Sequence, residues 1–436
     1  MGAKSVSIVA AGAISPPDTA VRVYPLTASE IAENEGFLVG ISIFRSMRDK
    51  GLISSEEYDQ IHTRIANKSP SVLSDLYRYG THAVAAMGCT NLILENITVY
   101  SAPGMAFSVN RSDHFQVLDC NVTLRPESGR HVSSTADSLH IGNGKGYFII
   151  EGCDFGYMGD DALNIHTDTN RIEKRVSEKT LLLGNFMRPV EGTLYSFRDA
   201  SFGVIDFSAK VVNVQTEENG YRVEFETALP ENIKAGCTVF QTEEAADYYI
   251  VRNNRFHNNR TRGVLLGTGN GIFEDNIIER TRGQAVLISV DQTQNWSEGS
   301  GVKNLVFRNN TLKDCNVNGW GKGVIELKCD LFGAVPDTVV INNIWFDGNQ
   351  FINSFVSAFN ICCADNVSVT GNTFEDPDTR LNNSADRAVI DISKSHIIKV
   401  SGNIWKRSDY VSNPACVRVA EADRESLVTT ENNIVE

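Results

Sequence analysis

No apolar run in this 436-residue chain approaches the roughly 18 residues that a membrane-spanning helix requires. Basic residues are in deficit, with 40 Lys and Arg against 54 Asp and Glu and a formal net charge of −14. Nucleic-acid binding depends on Lys and Arg neutralising phosphates, so this balance argues against such a partner. It argues, more weakly, against a polyanionic substrate such as pectate, and it suits a neutral or cationic partner better. No CxxC pair with metal-site spacing occurs. The nine cysteines are odd in number, in a chain far too long to need stapling by disulfides. The adjacent Cys362 and Cys363 read as one side chain turned in and one out. The sequence calls for no cofactor and no metal.

What the chain does have is a repeat. NLILENITVY from Asn91, FQVLDCNVTL from Phe115, YFIIEGCDFGY from Tyr147 and YYIVRNNRFHN from Tyr248 share one pattern. GIFEDNIIER, LVFRNNTLKD, IWFDGNQFIN, VSVTGNTFED and IKVSGNIWKR continue it from Gly271 to Arg407. Each unit alternates apolar residues, passes through a small or polar pair usually ending in Asn, and resumes with a short apolar run. Asn96 to Cys120 is 24 residues, Asn254 to Asn276 is 22 and Asn349 to Asn372 is 23. The 34 residues from Asn276 to Asn310 fit one turn carrying a loop. A turn between strands favours Asn because Asn tolerates left-handed backbone angles, and stacked Asn side chains can bond along a ladder. Propeller blades need about 40–45 residues and leucine-rich repeats a leucine frame, and neither fits. The pattern predicts an all-β, right-handed parallel β-helix, a solenoid that grows by stacking. Cys120 and Cys153 occupy the marker position, with Cys89 just upstream, as small apolar members of the stack.

Three zones depart from the repeat. Residues 1 to about 25 contain VSIVAAGAI behind Lys4, only faintly like a signal-peptide core. Residues 27 to about 77 carry helical periodicity and two capping boxes, Thr27 to Glu30 and Ser54 to Glu57, which predict helices over 28–49 and 55–66. Residues 171–243 lose the Asn markers and read as a small antiparallel β-domain inserted between turns. The expected division is therefore a partly helical segment over 1–77, β-helix over 78–170, the inserted domain over 171–243 and β-helix again over 244–436.

Chemistry enters with Asp137 in TADSLHIGNGKG and Asp160–Asp161 in GDDALNIH, 23 residues apart. Consecutive solenoid turns lie about 4.8 Å apart, so three carboxylates would converge on one patch. Like charges that close cannot all ionise freely, which separates an acid from a base. The plainer reading is a turn whose aspartates cap backbone amides. His140 and His166 follow these aspartates and could orient them or bind hydroxyls, or could be structural. Arg262 and Arg282 both sit in TRG, and of the two Arg262 is the candidate substrate clamp. Trp296 and Glu298 lie on a loop, where an aromatic can face a sugar ring and an acid can bind hydroxyls, or where both simply pack.

The run from Asn91 to about Asn310 resembles glycoside hydrolase family 110, the bacterial α-1,3-galactosidases. The shared landmarks are APGMAF (102–107), TADSLHIGNGKG (135–146), GDDALNIH (159–166), RTRGVLL (260–266) and NWSEG (295–299), in that order, with a β-domain after GDDALNIH. The N-terminal region departs, since the family has further coils where this chain has its helical segment. The resemblance implies an exo-acting, inverting hydrolase that removes terminal α-1,3-linked galactose from a glycan, in the periplasm or outside the cell. It implies Asp160 as general acid, and Asp137 with Asp161 as the pair that holds and activates water. The spacing of adjacent coils by itself would suit the shorter separation of a retaining enzyme. A non-catalytic glycan-binding adhesin is the alternative from another class, with stacked acids able to take calcium. A polygalacturonase-like hydrolase is a second, though 131–170 offers few basic residues for uronates. A lyase would need a Lys or Arg base that nothing here supplies.

Overall fold

A computed structural model describes residues 5–8, 54–56, 82–378 except 245, 247, 294 and 295, then 388–406, 415–420 and 428–435. Of the two expected helices, 28–49 and 55–66, only residues 55–56 fall among these, so that expectation lies outside the described residues.

From Val84 onward the chain winds into a parallel β-helix with three sheets. Its first coil runs through the strands Val84–Met87, Thr90–Glu95 and Thr98–Val99, and its last through Ala415–Val419, Val428–Glu431 and Ile434–Val435. Alternation decides what goes inside. In Leu139–Gly142, Leu139 and Ile141 enter the core while His140 points out, and Leu163, Ile165, Val264 and Leu266 repeat the choice on later coils. The interior stacks like on like: Phe115, Phe148 and Tyr249 lie ring over ring at 4.5 and 5.3 Å. Such pairs add about 0.5–1.5 kcal/mol each beyond the area they bury. At the N-terminal edge, Ser5–Ile8 pairs antiparallel with Val84–Met87 and occupies backbone groups that an open coil would expose.

The Asn ladder is present, with one correction. Asn254, Asn276, Asn310, Asn349, Asn372, Asn403 and Asn433 form a continuous column. From Asn276 on, each Oδ1 accepts both the backbone N–H and the Nδ2 of the Asn one coil earlier, as Asn310 does from Asn276 at 3.0 and 3.0 Å, while Asn254 Oδ1 accepts the Cys153 N–H. Left-handed angles, however, belong to the residue before each of these: Asn253, Asp275, Asn309, Gly348, Gly371 and Gly402. The marker Asn is therefore selected for its two-ended hydrogen bonding, and its predecessor for the turn.

Between His166 and Tyr248, inside the fourth coil, the chain leaves the solenoid and forms a closed antiparallel barrel. Its six strands are Asn170–Arg175, Thr180–Leu183, Leu194–Arg198, Val204–Glu217, Gly220–Phe225 and Thr238–Gln241. It has its own core of Ile172, Leu181, Tyr195, Val223, Phe225 and Val239. Arg198 Nη2 donates to Ser300 O at 2.9 Å, fixing the barrel against the sixth coil. No helix among the described residues is long and apolar enough to cross a membrane.

Removing one member of the buried ladder strands two donors on the preceding Asn and takes a donor from the acceptors that its own Nδ2 serves. Asn310→Ala is expected to cost about 2–4 kcal/mol, since a buried donor left without its acceptor costs about 1–3 kcal/mol. Asn304→Gly, which cuts the exposed outer bonds to Asn270 and from Asn343 without straining its positive φ, is expected to stay within ~0.5 kcal/mol. Denaturant unfolding of the two variants checks the contrast.

Candidate active site

The site begins as a register. Leu139, Leu163 and Val264 are paired across three consecutive parallel strands of the first sheet. Two residues before each stand Asp137, Asp161 and Arg262. One column at the turn entering the sheet thus carries a carboxylate, a carboxylate and a guanidinium, at steps of about 4.8 Å. The partner of Asp137 in this column is Asp161, 24 residues on, and Asp160 stands beside it. Counting 23 residues from Asp137 misses the partner by one. Gly159 permits the close stacking, because a Cβ there would collide with Thr135 O while its N–H donates to Ser134 O at 2.7 Å.

All three acids are buried, and one oxygen from each lies within 4.8 Å of the others. Asp161 Oδ1 accepts from Arg262 Nε at 2.8 Å, Arg262 N at 3.3 Å and Thr261 Oγ1 at 3.0 Å. Thr261 Oγ1 also lies 2.9 Å from Asp160 Oδ1. One hydroxyl proton cannot serve two carboxylates at once, so the Thr261 bond competes between neighbours. Asp137 Oδ1 accepts the Asp161 N–H at 3.2 Å, and its Oδ2 faces His140 Nδ1 at 2.7 Å. The aspartates of GDD thus meet groups of the following coil, the Arg262 backbone N–H among them.

Electrostatics separates the members. Burial, and then the Asp137 charge, push the Asp161 carboxyl above the ordinary range, with Arg262 opposing both. Arg262 stays a cation: burial works against it, but Asp161, Asp137 and Glu298 raise it. His166 is fully enclosed, and burial alone would lower it. Glu298, Asp168 and Asp137 outweigh that and raise it to about 9, so it is an imidazolium at neutral pH. Its Nδ1 lies 2.8 Å from Asn164 Oδ1 and its Nε2 3.1 Å from Asp168 Oδ1. Burial would raise Asp168, but His166, Asn143 and His140 hold it below the usual carboxylate range.

Glu298 reaches this group from far along the chain. Ser297–Glu298 folds back antiparallel on Asp291–Gln292 and bridges to Asp168, leaving Glu298 Oε2 3.9 Å from His166 Nδ1. A buried trio pins the hairpin: Gln292 Nε2 donates to Thr169 Oγ1 at 2.8 Å, Ser297 Oγ to Gln292 Oε1 at 2.9 Å, and the two hydroxyls lie 2.7 Å apart. The structure therefore gathers Asp137, Asp160, Asp161, His140, His166, Arg262 and Glu298 at one place. Trp296 stays at the exposed end of the hairpin, its N–H donating to Thr293 Oγ1 at 3.1 Å, rather than against the acids. Arg282 is off the column, because Gln284 is the residue in register with Arg262.

Sequence reasoning missed Thr261, Asn164, Asp168, Asn143 and His82. Asn143 and Asp168 are 25 residues apart and doubly bonded, at 2.5 and 2.8 Å. The one-coil spacing that paired the aspartates could have found them. His82, lowered by burial and by the His140 charge against the pull of Asp137, lies in the same field from the first coil.

Comparison with known proteins places this region. No protein-family model matches the chain. Alpha-1,3-galactosidase B of Akkermansia muciniphila is 29% identical over 231 residues, covering 50% of this chain and 28% of that protein. Alpha-1,3-galactosidase A of Bacteroides fragilis is 26% identical over 271 residues, 60% of this chain and 45% of that protein. Over about half its length or somewhat more, the chain is thus similar to alpha-1,3-galactosidases. It spans less than half the length of these relatives. Among solved structures, the family 28 exopolygalacturonase of Yersinia enterocolitica is similar with a TM-score of 0.41 and 12% identity, over 86% of this chain and 50% of that one. A tailspike protein of an E. coli bacteriophage, in complex with pentasaccharide, gives 0.40 and 11%, over 83% and 56%.

The raised His166 makes a pH prediction. A basic group whose folded value exceeds its unfolded one, about 6.5, stabilises the fold fully below that unfolded value. It loses the contribution as pH climbs toward about 9. Stability should therefore fall from pH 7 to 9, and Glu298→Gln should bring the fall to lower pH. Titrating the His166 ring by NMR alongside thermal melts reads both. A His166 midpoint at or below 6.5 would refute it.

Proposed function

We propose that this protein is a glycoside hydrolase that releases terminal α-1,3-linked galactose from glycans with inversion at the anomeric carbon. The observation that carries the reading is the column Asp137–Asp161–Arg262 with Asp160 beside it, on the motifs TADSLHIGNGKG, GDDALNIH and RTRGVLL, in a chain similar to α-1,3-galactosidases. Glycosidic cleavage passes through a cationic, oxocarbenium-like state, which a patch of buried carboxylates stabilises.

In this reading protonated Asp160 gives its proton to the glycosidic oxygen as the bond to the departing sugar breaks. Water held by Asp137 and Asp161 attacks the anomeric carbon from the opposite face and yields its proton to that pair. Asp161 suits a holding role because Arg262 and Thr261 already occupy its Oδ1. His140 fixes Asp137 in the same way. Arg262, Glu298 and His166 supply donors and acceptors for the galactose hydroxyls. Trp296, at the end of the Glu298 hairpin, serves the rim, where its exposed face meets the outer part of the glycan. Inverting pairs usually stand about 6.5–9.5 Å apart and retaining pairs about 5–5.5 Å, so the closeness of these acids makes the stereochemistry the sharpest test.

Asp160→Asn is expected to reduce turnover of a Gal-α-1,3-Gal oligosaccharide at least 1,000-fold while leaving the melting temperature within a few degrees, because it keeps shape and removes the proton donor. Proton NMR of the wild-type reaction should show β-galactose first. Initial α-galactose would rule out inversion, and near-normal turnover by Asp160→Asn would remove its role. Oligosaccharide binding without turnover, abolished by chelator, would favour the adhesin-like alternative.

A further inference from the structure

A second feature lies on the same face of the first sheet, beyond the acids. His140, Asn164, Leu265, Leu287, Glu326 and Asn360 form one row across six consecutive strands. Their chain neighbours, such as Leu266, Val286, Ile288 and Ile325, fill the solenoid core, so this row points outward. It starts at His140, which bonds Asp137. Leu265 and Leu287 form an apolar stretch, and Glu326 and Asn360 follow.

The loop from Asn316 to Gly323 lies over the far part of this row and is braced from two sides. Asn316 clamps it: Nδ2 donates to Trp320 O at 2.7 Å and to Gly323 O at 2.9 Å, and Oδ1 accepts the Trp320 N–H at 2.8 Å. Glu326 holds it from below, Oε2 accepting from Gln284 Nε2 at 2.7 Å and from Lys322 N at 3.2 Å. Gly321 completes the fit, with φ at 66° and no room for a Cβ above Glu326. What this rigid loop presents is Trp320. Its ring lies against Gly283, where a Cβ would stand 3.0 Å from Cε3, and the side chain remains 39% exposed.

The position gives the ring a use. Gly283 N donates to Thr261 O, so the residue beneath the ring lies one strand on from Thr261 and two strand spacings, about 10 Å, along the sheet from Asp160. That is within reach of the rings following a terminal sugar seated at the acids. A tryptophan combines a broad apolar face with low conformational entropy, and a loop held by a buried carboxylate presents it without further ordering cost.

We propose that Trp320 is a platform for the sugar that follows the terminal galactose, held in place by Asn316, Gln284 and Glu326, so that the substrate is a neutral oligosaccharide rather than a simple galactoside. The inference rests on the hydrolase reading above. Its test compares kcat/KM for a Gal-α-1,3-Gal-terminated oligosaccharide with that for α-galactosyl fluoride, which has no second sugar. Trp320→Ala is expected to lower the ratio of the two about tenfold, chiefly through KM for the oligosaccharide, and Trp320→Phe to restore most of it. Gly321→Ala, which keeps the ring but displaces the loop, should lower the ratio in the same direction. An unchanged ratio in Trp320→Ala overturns the platform, whereas Asp137→Asn, which weakens the pair that activates the attacking water, should depress both substrates together. If wild type hydrolyses neither, the hydrolase reading falls and the platform is judged by binding. The oligosaccharide must then shift the tryptophan emission of wild type but not of Trp320→Phe, and no shift overturns it.

Discussion

Everything in this molecule depends on the constancy of the parallel strand spacing. Backbone bonds between coils fix each residue about 4.8 Å from its counterpart one turn away, so any side chain repeated at coil period becomes a column. Apolar columns make the core, the Asn column ties one turn to the next, and a column of mixed charge makes the site. The same rule that stacks Asn276 on Asn310 sets Asp161 between Asp137 and Arg262.

That rule explains why much of the architecture was legible in the sequence. The Asn spacing announced the coils, even across the 34-residue step to Asn310, because a loop leaves the column intact. The acids were legible for the same reason. The errors are of one residue: Asp161, not Asp160, is the partner of Asp137, and the left-handed turn precedes the ladder Asn. A repeat read by eye gives the period but not the phase, which depends on which residue of a turn faces in. Thr261, Asn143 and Asp168 escaped notice because Thr, Asn and Asp are common in turns, and only a partner one coil away distinguishes them. Trp296 and Glu298 lie two residues apart, but the hairpin pinned by Thr169 and Gln292 turns only Glu298 to the acids.

The site also shows how a cluster of negative charge is made tolerable. Removing one partner of a buried ion pair typically costs about 3–5 kcal/mol, so Arg262 is a structural member of the cluster in its own right. His166 plays the matching part for Glu298 and Asp168. The two cations come from opposite sides of the inserted barrel, and each meets carboxylates delivered by another coil.

Asp161 and Arg262 are 101 residues apart, yet they occupy adjacent turns because the whole barrel is threaded between the first and second strands of one coil. Closing so long an excursion has an entropic cost that grows only slowly with length, and a barrel with its own core brings its two ends together before the solenoid needs them. The order of assembly then matters electrically. Until the barrel has closed, the N-terminal coils hold three crowded carboxylates with no guanidinium, a surface that repels itself. Docking of the C-terminal half supplies the missing cation, so the act that completes the solenoid also relieves the repulsion among the acids.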